Sequence, residues 1–213
     1  PNIGMINPDS FINIAEETGL IVPLGMLILE RACKEFSQHC QSNREFFISV
    51  NLSPLQLRQE NLTQDILDTI NCYDILPGQM HLEITEGVLV EDSEFALKVL
   101  NDINDAGMYL ALDDFGTGFS SLGYLERFPV KALKIDQSFT CRIVETEKGF
   151  ELVKLIIKLA NLYELDIVVE GVETIEQFRM VSDESCKYIQ GFYLARPLSR
   201  ENFSEFLSDM TGF

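Results

Sequence analysis

Positive charge and histidine are both scarce in this sequence. Its 16 Lys and Arg face 34 Asp and Glu, for a net charge of −18. Such a chain repels polyanions, which excludes long DNA or RNA as a partner. A small phosphate ligand remains compatible, provided metal ions neutralise the carboxylates around it. The only histidines are His39 and His81, and they form no His-x-x-x-His pair. That argues against a zinc centre, which favours His and Cys. His39 reads as a surface helix residue and His81 as a core residue. No Ser-His-Asp arrangement is legible, and Ser53, Ser120 and Ser121 sit in turn-like contexts that suit caps or turns.

Cysteines number five, an odd count without a Cys-x-x-Cys pair. Cys33 and Cys40 fall on one face of a predicted helix but ~10 Å apart along its axis, beyond disulfide reach. Free, mostly buried thiols of a reducing compartment are expected. No apolar run approaches the ~18 residues of a membrane span; residues 20–29 come nearest and contain Pro23 and Gly25. A basic segment followed by an apolar one, as in a secretion signal, is also missing. A cytoplasmic domain is expected, compatible with a membrane-anchored parent. Linkers, low-complexity tracts and short repeats are absent. So is the Gly-x-Gly-x-x-Gly turn of a doubly wound dinucleotide fold; the lone Gly-x-Gly at 116–118 lacks the third glycine.

What is present is a regular alternation. Hydrophobic residues make up 46% of the 213, enough for a substantial core. Strands are predicted at 45–51, 80–85, 108–113, 132–135, 166–170 and 187–190. Helices are predicted between them, at 7–18, 24–39, from 54, 62–73, 93–106, 147–162, 174–181 and 199–208. Asn7-Pro8 is a helix start and Gly19 a stop. In the 147–162 helix, Leu152, Leu155, Ile156 and Leu159 form the expected buried face. Strands separated by helices imply a parallel sheet, and the predicted fold class is an α/β, TIM-like (β/α) barrel with six strands in this chain.

The strand ends are polar. They carry Asn51, then Glu83 with Glu86, then Asp113-Asp114, then Lys134 and Asp136, then Glu170 with Glu173, and last Gln190. Active sites of β/α barrels form at the C-terminal ends of strands. Side chains two apart share a face, so an inward Glu83 takes His81 and Thr85 with it, and an inward Asp113 takes the small Ala111. Asp114 then points away or lies on the loop. Carboxylates with an Asn make a hard oxygen set, suited to Mg²⁺ or Mn²⁺. For Lys134 two readings stand level: a group that orients or activates water, or a structural ion pair to one of the acids.

Several motifs in order then resemble one family. Asn51-Leu52-Ser53, Leu82-Glu83-Ile84-Thr85-Glu86, Asp113-Asp114-Phe115-Gly116-Thr117-Gly118, Lys134-Ile135-Asp136, Glu170-Gly171-Val172-Glu173 and Gln190-Gly191-Phe192 look like the motifs of EAL-domain cyclic di-GMP phosphodiesterases. Phe11-Ile12, Ala15-Glu16 and Gly19-Leu20-Ile21 extend the resemblance to the start, and Arg196-Pro197-Leu198 toward the end. The resemblance implies hydrolysis of cyclic di-GMP to linear pGpG with Mg²⁺ or Mn²⁺, two ions per site. It implies Asn51, Glu83 and Asp113 as metal ligands, with Asp114 for the second ion. Lys134 and Glu170 match the residues that position or activate the attacking water, and Glu173 and Gln190 match supporting positions. Glu86 matches a brace for the loop after the third strand. That loop, with Phe115, Gly116, Thr117 and Gly118, links metal site and dimer contact in the family. A homodimer and a parent carrying a sensor or GGDEF-type domain are further expectations.

The Glu-Ala-Leu motif that names the family does not occur. In the family it precedes the segment matching Pro1-Asn2-Ile3-Gly4, along with two strands, a metal-binding Glu and a phosphate-holding Arg. Residues 1–213 are therefore expected to be a single EAL-type barrel domain, truncated at its N-terminus. Two alternatives compete: a non-catalytic cyclic di-GMP receptor, and a different metal-dependent barrel enzyme of the enolase or aldolase kind.

Overall fold

The computed structural model describes residues 6–40, 45–90, 94–116 and 122–210. Contacts divide the chain into two compact units, Pro1–Asp113 with Gly118–Lys131, and Asp114–Thr117 with Ala132–Phe213.

The first unit is built on three parallel strands, β1 (Ile48–Asn51), β2 (Met80–Thr85) and β3 (Tyr109–Phe115), the last running on into the second unit at Asp114. β2 pairs with β1 in the register Asn51↔Glu83 and with β3 in the register Glu83↔Ala111 and Thr85↔Asp113. Met80 through Ile84 are all buried, the continuous burial of a parallel strand covered on both faces. Around the strands stand α1 (Ile12–Glu17), α2 (Ile21–Cys40), α3 (Leu62–Cys72), α4 (Glu86–Val90), α5 (Glu94–Asp105) and α6 (Leu122–Arg127). α3 buries Leu62, Ile66 and Ile70, and α5 buries Ala96, Val99, Leu100 and Ile103, one stripe each at helical spacing. His81 is a core residue, as expected. Its ring stacks between Phe47, at 3.8 Å, and Tyr109, at 4.1 Å.

The second unit repeats the plan with β4 (Ala132–Ile135), β5 (Asp166–Val169) and β6 (Tyr188–Ile189), again parallel, in the registers Lys134↔Val168 and Val169↔Ile189. Its helices are α7 (Gln137–Thr140), α8 (Glu147–Leu162), α9 (Ile175–Ser182) and α10 (Arg200–Met210). Thr146 caps α8 by accepting from Gly149 N–H, and Thr174 with Gln177 forms a capping box on α9, the side-chain partners that helix N-termini require. Lys187 Nζ donates to Asp166 Oδ2 at 2.6 Å, and that hydrogen bond raises the lysine's pKa.

Several expectations change on inspection. The helix expected from residue 7 is a turn of 3-10 helix, Pro8–Ser10, followed by α1. β3 runs two residues further than expected, and β5 ends at Val169, leaving Glu170 as the first residue beyond it. The buried face of α8 is Val153, Ile156, Ile157 and Ala160. Leu152 and Leu155, expected inside, are exposed at 41% and 60%. The helix carries apolar residues at two overlapping sets of i, i+3, i+4 positions, and the β-branched and small set packs toward β4 and β5.

The cysteines also depart from expectation. Cys33, Cys72, Cys141 and Cys186 are thiols, but only Cys33 is buried; Cys72 and Cys141 are exposed and Cys186 is half-buried. Burial, reinforced by the charge of Glu184, pushes the Cys186 thiol up to about 11. At pH 8 only about one Cys186 in a thousand is then a thiolate, the reactive form. Alkylation at that pH, followed by peptide mass mapping, is expected to mark Cys72 and Cys141 first and to leave Cys33 and Cys186 protected. Raising the pH toward 11 should bring in Cys186 selectively over Cys33. Among the described residues no helix is long and apolar enough to cross a membrane.

Candidate active site

In the first unit, Asn51 ends β1, Glu83 lies beside it on β2, and Asp113 lies on β3 opposite Thr85. Glu83 and Asp113 are buried, at 8% and 9% exposure, while Asn51 is exposed. Ala111, two residues before Asp113 and directly opposite Glu83, is buried and small. Glu83 and Ala111 thus lie at one register position and Thr85 and Asp113 at the next pair along the same strands. Leu52 N–H donates to the Glu83 carbonyl at 2.8 Å, carrying the β1–β2 pairing one residue past Asn51. The turn that follows is held from two sides. Ser53 N–H donates to Gln56 Oε1 at 3.1 Å, and Ser53 Oγ donates to Glu16 Oε1 at 2.6 Å. Ser53 is thus the turn residue it was read as. Glu86 opens α4 and is buried.

In the second unit the central feature is an ion pair. Lys134 Nζ stands 2.8 Å from Glu170 Oε1, with the two side chains 6% and 17% exposed. Lys134 comes from β4 and Glu170 from just past β5, where its N–H donates to the Ile135 carbonyl at 3.1 Å. Asp136, next after β4, caps α7 by accepting from Ser138 N–H. Asp114 is exposed, the opposite phase to buried Asp113, with φ +55°; aspartate tolerates this left-handed region better than most residues. Phe115 is buried and Gly116 follows with φ +95°. Glu173 and Gln190 are both exposed. Val172 N–H donates to the Gln190 carbonyl at 3.1 Å, which ties the Glu170–Glu173 turn to Gln190. Thr117 and Gly118 lie outside the described residues.

Sequence reasoning missed the glutamines. Gln56 and Gln177 are buried, and each serves backbone groups of a turn that follows a strand-end residue. Gln177 Oε1 accepts from Glu173 N–H at 2.7 Å and from Thr174 N–H at 3.0 Å. Only the Thr174-x-x-Gln177 spacing, a capping-box signature, pointed to the second.

A metal set can be tested against this geometry. Among the described residues, no three His, Cys, Asp or Glu side chains form a group that could hold a metal ion by themselves. The first unit instead offers two buried carboxylates and the Asn51 amide on adjacent strand ends, all hard oxygen donors. That chemistry fits Mg²⁺ or Mn²⁺.

The EAL domain family matches residues 1–197. The signalling protein YkoW of Bacillus subtilis (strain 168) is 35% identical over 94% of this chain, a stretch that is 25% of YkoW. MucR of Pseudomonas aeruginosa, a bifunctional diguanylate cyclase/cyclic di-GMP phosphodiesterase, is 35% identical over 94% of the chain and 30% of its own length. The solved PaMucR phosphodiesterase in complex with c-di-GMP superposes with a TM-score of 0.89 at 35% identity, covering 95% of this chain and 83% of that one. The chain thus spans about a quarter to a third of the curated relatives it matches. The fold class is that of the TIM-like β/α barrels, as the strand and helix alternation predicted.

Proposed function

Because the chain belongs to the EAL domain family, we propose that it is the catalytic domain of a metal-dependent phosphodiesterase that hydrolyses cyclic di-GMP to linear pGpG in bacterial second-messenger signalling. The observation that carries this reading is the buried pair Lys134–Glu170. A buried ion pair adds little net stability compared with apolar residues of similar volume, so its place at the strand ends is better explained by chemistry. The resemblance of Asp113-Asp114-Phe115-Gly116-Thr117-Gly118 to a motif of this family supports the same reading.

On this reading Asn51, Glu83 and Asp113 hold one divalent ion and Asp114 serves a second. Such ions supply Lewis acidity toward the phosphate and make water acidic near neutral pH. The chain's own groups do the rest. Glu170 accepts the proton of the attacking water. Lys134 fixes the Glu170 carboxylate and balances its charge. The water oxygen forms the new P–O bond as the ribose 3′-oxygen leaves, which gives pGpG. Glu173 and Gln190 support the site, and Glu86 braces the loop that begins at Phe115. Residues 1–213 act as one EAL-type domain.

A homodimer is part of the proposal. Leu152, Leu155 and Leu162 leave an apolar stripe of α8 facing outward, a surface a second copy would cover. A sensor or cyclase domain in the parent is also proposed, the cyclase by analogy with MucR, whose name records a diguanylate cyclase beside the phosphodiesterase, and the domain is placed in the cytoplasm.

The test is hydrolysis of cyclic di-GMP with Mg²⁺ or Mn²⁺, by this chain and by one extended upstream by about thirty residues, the length of two short strands with their connection. Formation of pGpG that EDTA stops, and that Asp113→Asn abolishes, is the expected result. Tight binding without turnover in the longer chain would replace the enzyme with a receptor. Hydrolysis unchanged by Asp113→Asn would remove the metal assignment.

A further inference from the structure

Three of the strand-end residues in the second unit are followed by turns that meet at one short helix. α7 begins immediately after Asp136, whose carboxylate caps it through Ser138 N–H at 3.0 Å. Gly116, two residues after Asp114, faces the tip of the Phe139 ring where a side chain would sit. A side-chain carbon on Gly116 would stand 2.6 Å from Phe139 Cζ and 2.8 Å from Cε2. Gly171, the residue after Glu170, meets α7 in the same way; a side-chain carbon there would overlap Gln137 Cβ and stand 3.0 Å from Gln137 Cα. Both glycines have positive φ, +95° and +68°. The far end of α7 is held by Gln177, whose Nε2 donates to the Thr140 carbonyl at 3.3 Å while its Oε1 serves the Glu173 and Thr174 amides.

We propose that Phe139 is a positioning residue: the tip of its ring, seated on Gly116, fixes the left-handed turn that presents Asp114. Asp114 is a non-glycine residue at φ +55°. Such a conformation is strained for a residue with a side chain and persists where the surroundings enforce it. Phe115, within the turn, is buried, and Phe139 occupies the space beside Gly116. The proposal rests on the reading of Asp114 as a metal ligand for its functional consequence, but not for its structural content.

Two variants separate positioning from simple core filling. Phe139→Ala removes the ring. Phe139→Tyr keeps the ring and adds an oxygen at the atom nearest Gly116, a change that mere apolar cover at a half-buried site would tolerate. Leu165→Ala, a buried truncation before β5, is the control for lost stability alone. Mn²⁺ binding is measured by titration calorimetry without substrate, and amide exchange at Phe115 and Gly116 by mass spectrometry or NMR, all in the upstream-extended chain. Both Phe139 variants are expected to weaken Mn²⁺ binding about 10-fold or more, and to speed exchange at the two amides about tenfold beyond the control. Unchanged exchange in Phe139→Ala, or a Phe139→Tyr chain that matches wild type in both readouts, overturns the proposal. If the wild-type chain binds no Mn²⁺, the enzymatic reading fails, and the exchange measurement alone still decides whether Phe139 holds the turn.

Discussion

Lys134→Met is expected to lower cyclic di-GMP turnover by about 10³-fold or more and to cost about 3 kcal/mol of stability, the lower end of the range for breaking a buried pair. The lower end applies because Glu170 keeps 17% of its side-chain surface in contact with solvent. The loss arises less from the missing attraction than from the carboxylate left behind, since Glu170 loses an ammonium at 2.8 Å and keeps its partly desolvated position. Methionine preserves most of the lysine's volume, so cavity formation contributes little. The companion Glu170→Gln strands the lysine instead and is expected to cost a similar amount. The double variant Lys134→Met/Glu170→Gln removes both charges and should recover most of the stability while remaining inactive. Urea unfolding gives the three stabilities if the m-value stays constant, and the cycle isolates the coupling. A double variant that regains activity would show that neither group handles water. A Lys134→Met chain with wild-type turnover would reduce the pair to a structural bridge, the other reading that spacing had left open.

That ambiguity shows what one sequence makes legible. The β/α alternation was readable because each strand is a short apolar run bounded by turn residues, and helices such as α3 and α5 have one dominant stripe. The strand ends were readable because Glu83, Asp113 and Lys134 interrupt those runs where solvent should begin. Yet all three are buried, and no pattern of residue types distinguishes a buried carboxylate from an exposed one. The Lys134–Glu170 contact spans a separation at which spacing carries no information; only the β4–β5 register brings the two together. α7 escaped notice because four residues are too few for any periodicity. On α8 two apolar faces competed, and the choice between them was made by the fit of Val153, Ile156 and Ile157 to the strands beneath, which is a packing property. Gln56 looks like an ordinary surface glutamine in the sequence, and Gln177 is marked only by its capping-box spacing from Thr174. Their role emerges only from the turns whose amides they satisfy.

Gly191→Ala is the second substitution with a large expected effect, because it meets backbone and not side chain. A Cβ on Gly191 would overlap the Val172 nitrogen and oxygen and stand 2.6 Å from its carbonyl carbon. Val172 is fully buried. Its N–H donates to the Gln190 carbonyl at 3.1 Å, and its carbonyl accepts from Tyr193 N–H at 3.0 Å. No rotamer change relieves the overlap, so the two segments must separate and lose those hydrogen bonds. A cost of about 3 kcal/mol or more follows, at the upper end for overpacking. Gly78→Ala provides the contrast, since the nearest atom to a Cβ there is the Gly107 carbonyl oxygen at 4.0 Å. That variant should be neutral or more stable by about 0.4–1 kcal/mol, through the reduced freedom of the unfolded chain. The same separation moves Gln190 away from the turn that carries Glu170 and Glu173. Turnover should therefore fall even at temperatures where Gly191→Ala remains folded, as judged by circular dichroism on the assayed sample. Stability within about 1 kcal/mol of wild type, together with unchanged turnover, would mean that the two segments shift apart without consequence and that their interlock does not hold the site.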